Sequence, residues 1–345
     1  MKVNPIETKE LFEHGKDKAA GKQPAGYAYK ISGSGLHAME ITTIAKVDGR
    51  KYTENRDIMT YISDDITISI TDFIENGLTQ KSVSAQQLFH IMMIEFTRTK
   101  SQQIELTLSQ YMEYRGLKDE KTAREQFKRD LNLWYRLDVT FIEKKKRNKP
   151  LPFERMRIIE AEPNLKYGKA VIVFTSLFYS YLMYISDQIE QFPLCLLKLS
   201  AQHDKYAYIM GTYLSYLERV QAGEPNQYRL KVCTILESCN FPTIEEMSRH
   251  ADRIITAFIK AANKLIEIGY LHKYELWDGK KRLDSSQIMT DNYDWFCDLY
   301  FEYATTTPGQ EHLINARNAQ KAHARELKDK AEIKAMRDKK KSKSL

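Results

Sequence analysis

The stretch IELTLSQYMEYRGLKDEKTAREQFKRDLNLWYRL, residues 104–137, decides the fold class of this protein. Its first residues, 104–108, alternate apolar and polar side chains, which predicts a short strand. Ser109 is the predicted N-cap of a brief helix that ends near Gly116. Asp119 is the predicted cap of a longer helix that fills the rest of the stretch. A strand, a short helix and a long helix in this order are typical of the helix-turn-helix of a winged-helix domain.

The sequence on both sides of this stretch completes the winged-helix pattern. Residues 83–98 predict a preceding helix, and β-branched residues within 58–75 predict a strand. After the long helix, the pattern predicts a strand at 138–142 and a basic loop at 144–150. Two further β-like runs are Met156–Ile159 and Ala170–Thr175. On the first helix, one face carries Leu88, Ile91, Met92 and Phe96.

The predicted long helix has two chemically different faces. Its buried face is predicted to carry Ala123, Phe127, Leu131 and Trp134, at spacings of four, four and three. The opposite face carries Lys118, Lys121, Arg124 and Lys128, with Gln126 and Arg129 beside them. We interpret this basic row as a DNA-recognition face, with Lys121, Arg124 and Gln126 near the bases and Lys128 near phosphate. A solvated helix face is the alternative interpretation, since surface helices are usually charged.

The second half of the sequence repeats the same order of elements. Helix His203–Val220, strand 228–232, short helix 233–238 and a long helix within Thr243–Gly269 are predicted in turn. The two series begin at Gln103 and Gln227, 124 positions apart, and we interpret them as an internal structural duplication. The inward residues of the second long helix are predicted to be Ile255, Phe258, Ala262, Leu265 and Ile266.

Polar residues of this second long helix give it a second predicted DNA-binding face. They are Arg249, His250, Arg253, Thr256, Lys260, Asn263 and Lys264, of which Arg253, Thr256, Lys260 and Lys264 share one face. Two basic loops are predicted wings that follow phosphates or enter the minor groove. The first contains Lys144, Lys145, Lys146 and Arg147; the second, after strand Tyr270–Trp277, contains Lys280, Lys281 and Arg282. A role in solubility alone is the alternative interpretation of each loop.

The charge of the chain is concentrated at its end. The 345 residues carry a formal net charge of +7. The last stretch, Arg317–Leu345, holds eleven Lys or Arg against four Asp or Glu and therefore accounts for all of it. This tail either adds non-specific DNA affinity or only keeps the protein soluble. The rest of the chain is neutral in sum, so nucleic acid would have to bind at local basic surfaces.

Several classes of protein are disfavoured by the sequence. No apolar run is long enough for a membrane helix, no signal peptide is visible, and we expect a cytoplasmic protein. The four cysteines form no C-x-x-C pair, so reduced thiols without metal are expected. There is no P-loop, H-x-H pair, G-x-S-x-G or H-E-x-x-H motif. We therefore expect no catalytic residues, metal or cofactor, with a nuclease of unusual site as the remaining enzymatic alternative.

Three stretches resemble the plasmid replication initiator (Rep) proteins with tandem winged helices. They are LTLSQYMEYRGL at 106–117 with FKRDL at 127–131, LKLS at 197–200 leading into YAYIM at 206–210, and AANKLIEIGYL at 261–271. The resemblance covers about residues 80–285. It implies binding to repeated DNA elements of an origin, recruitment of host replication proteins, and promoter repression by a homodimer. It also implies that the second winged helix dominates sequence reading, while the first shares DNA contact with dimerisation.

The sequence therefore predicts an α+β, mainly α, protein of two tandem winged-helix domains. The expected divisions are a polar extension at 1–57, a first domain at 58–190 (the front half), a second at 191–305 (the back half), and a basic tail at 306–345. The predicted function is sequence-specific binding of double-stranded origin DNA by a replication initiator without its own catalysis. A winged-helix transcriptional regulator and a protein-interaction scaffold are the alternatives.

Overall fold

The protein combines α-helices with small antiparallel sheets. The computed structural model describes residues 26–33, 36–37, 59–62, 66–71, 83–143, 156–222, 228–284, 287–289 and 291–307. The helices in these residues are α1 (Val83–Thr99), α2 (Leu108–Arg115), α3 (Glu120–Arg136), α4 (Ser176–Tyr184), α5 (Lys205–Val220), α6 (Val232–Ser238), α7 (Ala251–Glu267) and α8 (Tyr293–Asp298), with a 3₁₀ segment at Leu194–Lys198. The strands are β1 (Tyr27–Ile31), β2 (Met59–Ile62), β3 (Ile66–Thr71), β4 (Gln103–Thr107), β5 (Asp138–Glu143), β6 (Met156–Arg157), β7 (Lys169–Val173), β8 (Ile189–Pro193), β9 (Arg229–Lys231), β10 (Leu271–Asp278), β11 (Lys281–Leu283) and β12 (Tyr300–Thr305).

The strands form four antiparallel sheets. Two have four strands, in the orders β2-β3-β5-β6 and β11-β10-β12-β9, and two have two strands, β1-β8 and β4-β7. In each half the order helix, strand, short helix, long helix, strand is present: α1-β4-α2-α3-β5 in front and α5-β9-α6-α7-β10 behind. The order of elements predicted from the repeated pattern is therefore confirmed.

The start of α2 differs from the prediction. The N-cap is Thr107, two residues before the predicted Ser109: its side chain accepts from the Gln110 amide, and the Gln110 side chain accepts from the Thr107 amide in return. This reciprocal capping box satisfies two amides that the helix itself leaves unpaired, whereas a cap at Ser109 would satisfy one. The predicted end at Gly116 is confirmed, with a φ of 62° that a glycine adopts without strain.

Helix α1 is the centre of the front half. The sequence predicted one buried face, but every residue from Val83 to Ile94 is buried, polar ones included. The covering elements are α3 on one side and β1 on another, where the Ile31 amide donates to Thr97 Oγ1 at 2.7 Å. Gln87 Nε2 and His90 Nδ1 each form a hydrogen bond within the protein, which offsets part of the cost of burying these side chains.

Strand β1 lies within residues 1–57, where the sequence predicted a polar extension and no strand. This strand pairs with β8, from Tyr27 opposite Pro193 to Ile31 opposite Ile189. Between the two strands, Lys30 Nζ lies 3.0 Å from Glu190 Oε1 with both side chains buried. Helix α4 and strands β8 and β12 were also absent from the sequence prediction.

The two halves are joined through the 3₁₀ segment. Its Leu197 carbonyl accepts from Gln87 Nε2 at 3.2 Å and from Arg115 Nε at 3.1 Å, and the Leu199 carbonyl accepts from Gln87 at 2.9 Å. Its other side packs on α5 so closely that a Cβ at Gly211 would lie 2.5 Å from a Leu196 methyl group. Helices α1 and α2 of the front half and helix α5 of the back half thus all contact this short segment.

Among the described residues, no helix has both the length and the apolar character needed to cross a membrane. The cysteines at 195, 233, 239 and 297 are free thiols. Burial raises the pKa of the Cys195 thiol to about 11, so this thiol is protonated at neutral pH.

Candidate nucleic-acid interface

The inward row of α3 is confirmed by the structure. Ala123, Phe127, Leu131 and Trp134 are all buried, and Leu133 joins them. The Phe127 ring stacks on Tyr111 of α2 with centroids 4.6 Å apart, and the Trp134 indole donates to the Ala85 carbonyl at 2.6 Å. Asp119 caps the helix as predicted, accepting from the Thr122 amide at 2.8 Å. These contacts fix which face of α3 points outward.

The outward face of α3 carries the predicted basic row. Lys121 and Lys128 are exposed, while Arg124 and Gln126 are partly buried along the helix. Arg124 Nη2 lies 2.7 Å from Glu120 Oε1, so this guanidinium is shared with a carboxylate. In the described part of the chain, no carboxylate pairs with Lys121 or Lys128. Two of the predicted cations are therefore available to an anionic partner.

Helix α7 also presents an apolar row inward, with one correction. Ile255, Phe258, Ala262 and Leu265 are buried as predicted, together with Ile254 and Ala261. Ile266 was predicted to face inward but is 38% exposed. At 100° per residue, Ile266 lies about 20° beyond Ile255, the outermost buried residue on that side of the helix, and is therefore just off the buried arc.

The outward face of α7 carries two cations without carboxylate partners, as that of α3 does. Arg253, Thr256 and Lys260 are exposed on it, and no carboxylate among the described residues pairs with Arg253 or Lys260. Arg249 was predicted on this helix and is also exposed, but it lies before the helix, in a turn where its φ is 65°. Lys264 is partly buried and its Nζ lies 2.7 Å from Glu267 Oε1, which raises the pKa of its ammonium. Asn263 accepts from the Tyr274 hydroxyl at 2.9 Å, which occupies its side-chain oxygen.

The second predicted wing is a hairpin of β10 and β11. Asp278 pairs with Lys281 across a turn at Gly279, whose φ is 57°. Lys280, Lys281 and Arg282 are exposed, and Arg282 Nη1 lies 3.4 Å from Glu275 Oε1. This leaves Lys280 and Lys281 as the two cations of the hairpin without a carboxylate partner in the described residues.

The first predicted wing lies outside the described residues, as do Lys144, Lys145, Lys146 and Arg147. Its flanking strands are described: β5 and β6 are antiparallel neighbours, with Asp138 opposite Arg157. The basic stretch lies between these two strands in the sequence, and the predicted first wing stays a prediction. The basic tail, residues 306–345 apart from 306 and 307, also falls outside the described part.

A buried polar network supports α3 from behind. Asp130 on its inner face accepts from Ser84 Oγ at 3.0 Å, and the Tyr111 hydroxyl accepts from Arg115 Nη1 at 3.0 Å. Burial raises the pKa of the Asp130 carboxyl to about 6, although Arg129 and Arg115 act in the opposite direction. The guanidinium of Arg129 lies 3.3 Å from this carboxylate, so Arg129 contributes to the network and less to the outward charge.

Arg229 is a residue near the second hairpin that the sequence analysis did not single out. Its Nη2 donates to the carbonyl of Gly279 at 2.9 Å. The only signal in the sequence was the alternation of polar and apolar residues along strand 228–232. This alternation places Arg229 on the outer face of the sheet but does not predict which residues it contacts. Cross-strand register, which brings Arg229 beside the hairpin, is not visible in a local pattern.

Comparison with known proteins gives solved structures only. No family model matches the chain, and no curated protein matches it. A selenomethionine crystal structure of domains 2 and 3 of RctB is similar, with 12% identity and a TM-score of 0.42 over 76% of this chain and 95% of that chain. A second crystal structure of RctB domains 2–3 has 12% identity and a TM-score of 0.40, covering 77% and 96%.

Proposed function

We propose that this protein binds double-stranded DNA with two winged-helix units, one in each half. The observation that carries the proposal is the outward face of α7, where Arg253, Thr256 and Lys260 lie exposed opposite a fully apolar inner face. A helix held in this way can enter a major groove while its cations meet bases and phosphates. The hairpin cations Lys280 and Lys281 supply further phosphate contacts.

The two units are expected to contribute unequally. Each long helix offers two cations without a carboxylate partner among the described residues, Lys121 and Lys128 on α3 and Arg253 and Lys260 on α7. These charges do not rank the two helices. We assign base reading mainly to α7, and phosphate contact to α3 with the loop Lys144–Arg147, because the resemblance to Rep proteins implies that the second winged helix dominates sequence reading.

The test begins with selection of a DNA site from a random duplex library, followed by fluorescence-anisotropy titration of the full chain. Arg253→Ala with Lys260→Ala should weaken specific binding about a hundredfold, since each lost base contact is worth roughly 1–3 kcal/mol. Lys166→Ala with Lys198→Ala removes the same charge at two exposed lysines outside the proposed surface, neither of which pairs with a carboxylate among the described residues, and is the matched control. Equal losses in the two double variants, or none in the first, would reject the assignment to α7.

We further propose that this DNA binding serves replication initiation, without a catalytic site in the chain itself. The support is the resemblance of residues 80–285 to plasmid Rep proteins. The measurement is autonomous replication of a selectable circle that carries the gene and its flanking DNA, with the Arg253/Lys260 double variant as control. Repression of a reporter without replication would indicate a transcriptional regulator. DNA affinity without salt dependence would favour a protein scaffold, and metal-dependent nicking of supercoiled DNA would indicate a nuclease.

A further inference from the structure

The β10–β11 hairpin is held from one side by an arginine that belongs to the opposite edge of the same sheet. Arg229 starts on β9, whereas the sheet order is β11-β10-β12-β9. Its guanidinium carbon lies 4.8 Å from the Tyr300 ring centre and 5.7 Å from that of Trp277. Its Nη2 then reaches the Gly279 carbonyl at the turn. The side chain thus crosses two strands to touch the tip.

The hairpin needs such an anchor because its own pairing is short. Strand β11 has three residues and forms an outer edge of the sheet, with β10 as its only strand neighbour in the described part of the chain. Its last pair, Asp278 with Lys281, lies beyond the part of β10 that pairs with β12, so the tip is a two-stranded ribbon with marginal stability of its own. A second contact supports the other side, where the Trp295 indole donates to Asp278 Oδ2 at 3.2 Å.

The Arg229 side chain extends across the sheet to the turn at Gly279, whereas the other cations of this region point to solvent. Its guanidinium is engaged by two aromatic rings and a carbonyl, a geometry that suits a planar cation better than an ammonium. Lys280 and Lys281, at the tip that it holds, are exposed and have no carboxylate partner among the described residues. Arg229 can therefore influence the position of these two lysines by its contact with the turn of the hairpin.

We infer that Arg229 is a positioning residue that fixes the β10–β11 hairpin in the orientation in which Lys280 and Lys281 contact DNA. The inference rests on the proposed function, since it assumes that the hairpin meets a duplex. It makes Arg229 important for affinity without direct contact to nucleic acid.

The test is a double-variant cycle on the full chain with the selected DNA site. Arg229→Ala should lower affinity about three- to tenfold, and Arg229→Lys should not restore it, because the charge alone is insufficient. In a Lys280→Ala/Lys281→Ala background, Arg229→Ala should have no further effect. Lys231→Ala, on the same strand and paired with Asp298, is the matched control and should leave hairpin geometry unchanged.

Hydrogen exchange of a peptide covering residues 276–283 gives an independent readout in the absence of DNA. Arg229→Ala should speed exchange there about tenfold, while Lys231→Ala should not. If the Lys280/Lys281 double variant binds DNA normally, the proposed role of the hairpin fails. The Lys280/Lys281 double variant could instead bind DNA weakly and still lose the full three- to tenfold affinity on Arg229→Ala. That result, or normal affinity in Arg229→Lys, would mean that Arg229 contacts DNA directly and that the inference is wrong.

Discussion

The two helix pairs of this protein have the same order and different construction. In the front half, α2 and α3 are separated by four residues, Gly116–Asp119, and both helices have side-chain caps. In the back half, twelve residues separate α6 from α7, neither helix has a side-chain cap, and Asn240, Ser248 and Arg249 adopt positive φ. Positive φ is uncommon for residues with a side chain and costs free energy that the surrounding structure must supply.

The cores behind the two long helices, α3 and α7, also differ. Helix α3 rests on a buried polar network around Asp130, Tyr111 and Arg115. Helix α7 rests on aromatic rings around Phe258. Because α3 also buries an apolar row around Phe127, both copies depend on apolar packing, and the front copy adds a buried hydrogen-bond network.

The largest expected effect is the loss of the aromatic centre of the back half. The Phe258 ring makes edge contacts with Phe296 at 5.4 Å and Phe301 at 5.5 Å, so Phe258→Ala leaves a cavity among rings. We expect the free energy of unfolding to fall by about 3–5 kcal/mol. Urea denaturation followed by circular dichroism measures it. Ile266→Ala on the same helix should change it by less than about 0.5 kcal/mol, and a large loss there would contradict its exposed position.

A second prediction separates the two halves by pH. The folded pKa of Asp130 is about 6, above its ordinary 3.8, so the folded state holds this proton more tightly. Its contribution is complete below about pH 4 and is lost as pH rises towards 6. Glu218 in the back half, buried between Tyr270 and Thr307, has its pKa raised to about 7 by burial. Its contribution is lost between about pH 4.5 and 7.

Each carboxyl should account for on the order of 3 kcal/mol across its window, since its pKa is raised by more than two units and one unit corresponds to about 1.4 kcal/mol. Glu218→Gln should therefore flatten the dependence of unfolding free energy on pH between 6 and 7, whereas Asp130→Asn should flatten only the part below 6. Urea titrations at a series of pH values measure both slopes. Identical profiles for the two variants would show that the halves do not titrate separately.

The third prediction concerns the unequal caps. Thr107→Ala removes the capping box of α2 and should cost about 1 kcal/mol of unfolding free energy. The corresponding cap of α6 is Lys231, whose side chain makes no capping hydrogen bond, so Lys231→Ala should cost less than about 0.5 kcal/mol. Chemical denaturation of both variants compares them directly. A larger loss at Lys231 than at Thr107 would reverse the comparison.

The smallest expected effect is a gain in DNA affinity of the front half. Glu120→Gln releases Arg124 from its carboxylate partner and removes one negative charge beside the proposed duplex. We expect about twofold tighter binding and a slightly steeper salt dependence, since one more cation becomes available to phosphate. Anisotropy titrations at several salt concentrations measure both quantities. Unchanged or weaker binding would mean that α3 does not approach DNA by this face.

Local periodicity was sufficient for the parts of the fold that depend on near neighbours. The buried rows of α3 and α7 follow from spacings of three and four residues, and only Ile266 at the edge of a row was assigned wrongly. Strand β1 was missed because its partner β8 lies about 160 positions later, so neither strand carries the pairing in its own pattern. The exposed cations were correctly placed outward, whereas their carboxylate partners, such as Glu120 for Arg124, emerged only from side-chain geometry.

The 3₁₀ segment between the halves has a consequence for how this chain unfolds and evolves. Its Leu197 and Leu199 carbonyls are hydrogen-bonded by the front half, while Leu196 fits against Gly211 of the back half. A front half without this segment would leave Gln87 Nε2 and Arg115 Nε without these buried acceptors, which lowers its stability. The repeated units are therefore not exchangeable modules; melting should proceed in a single cooperative transition, and recombination at this point should be selected against.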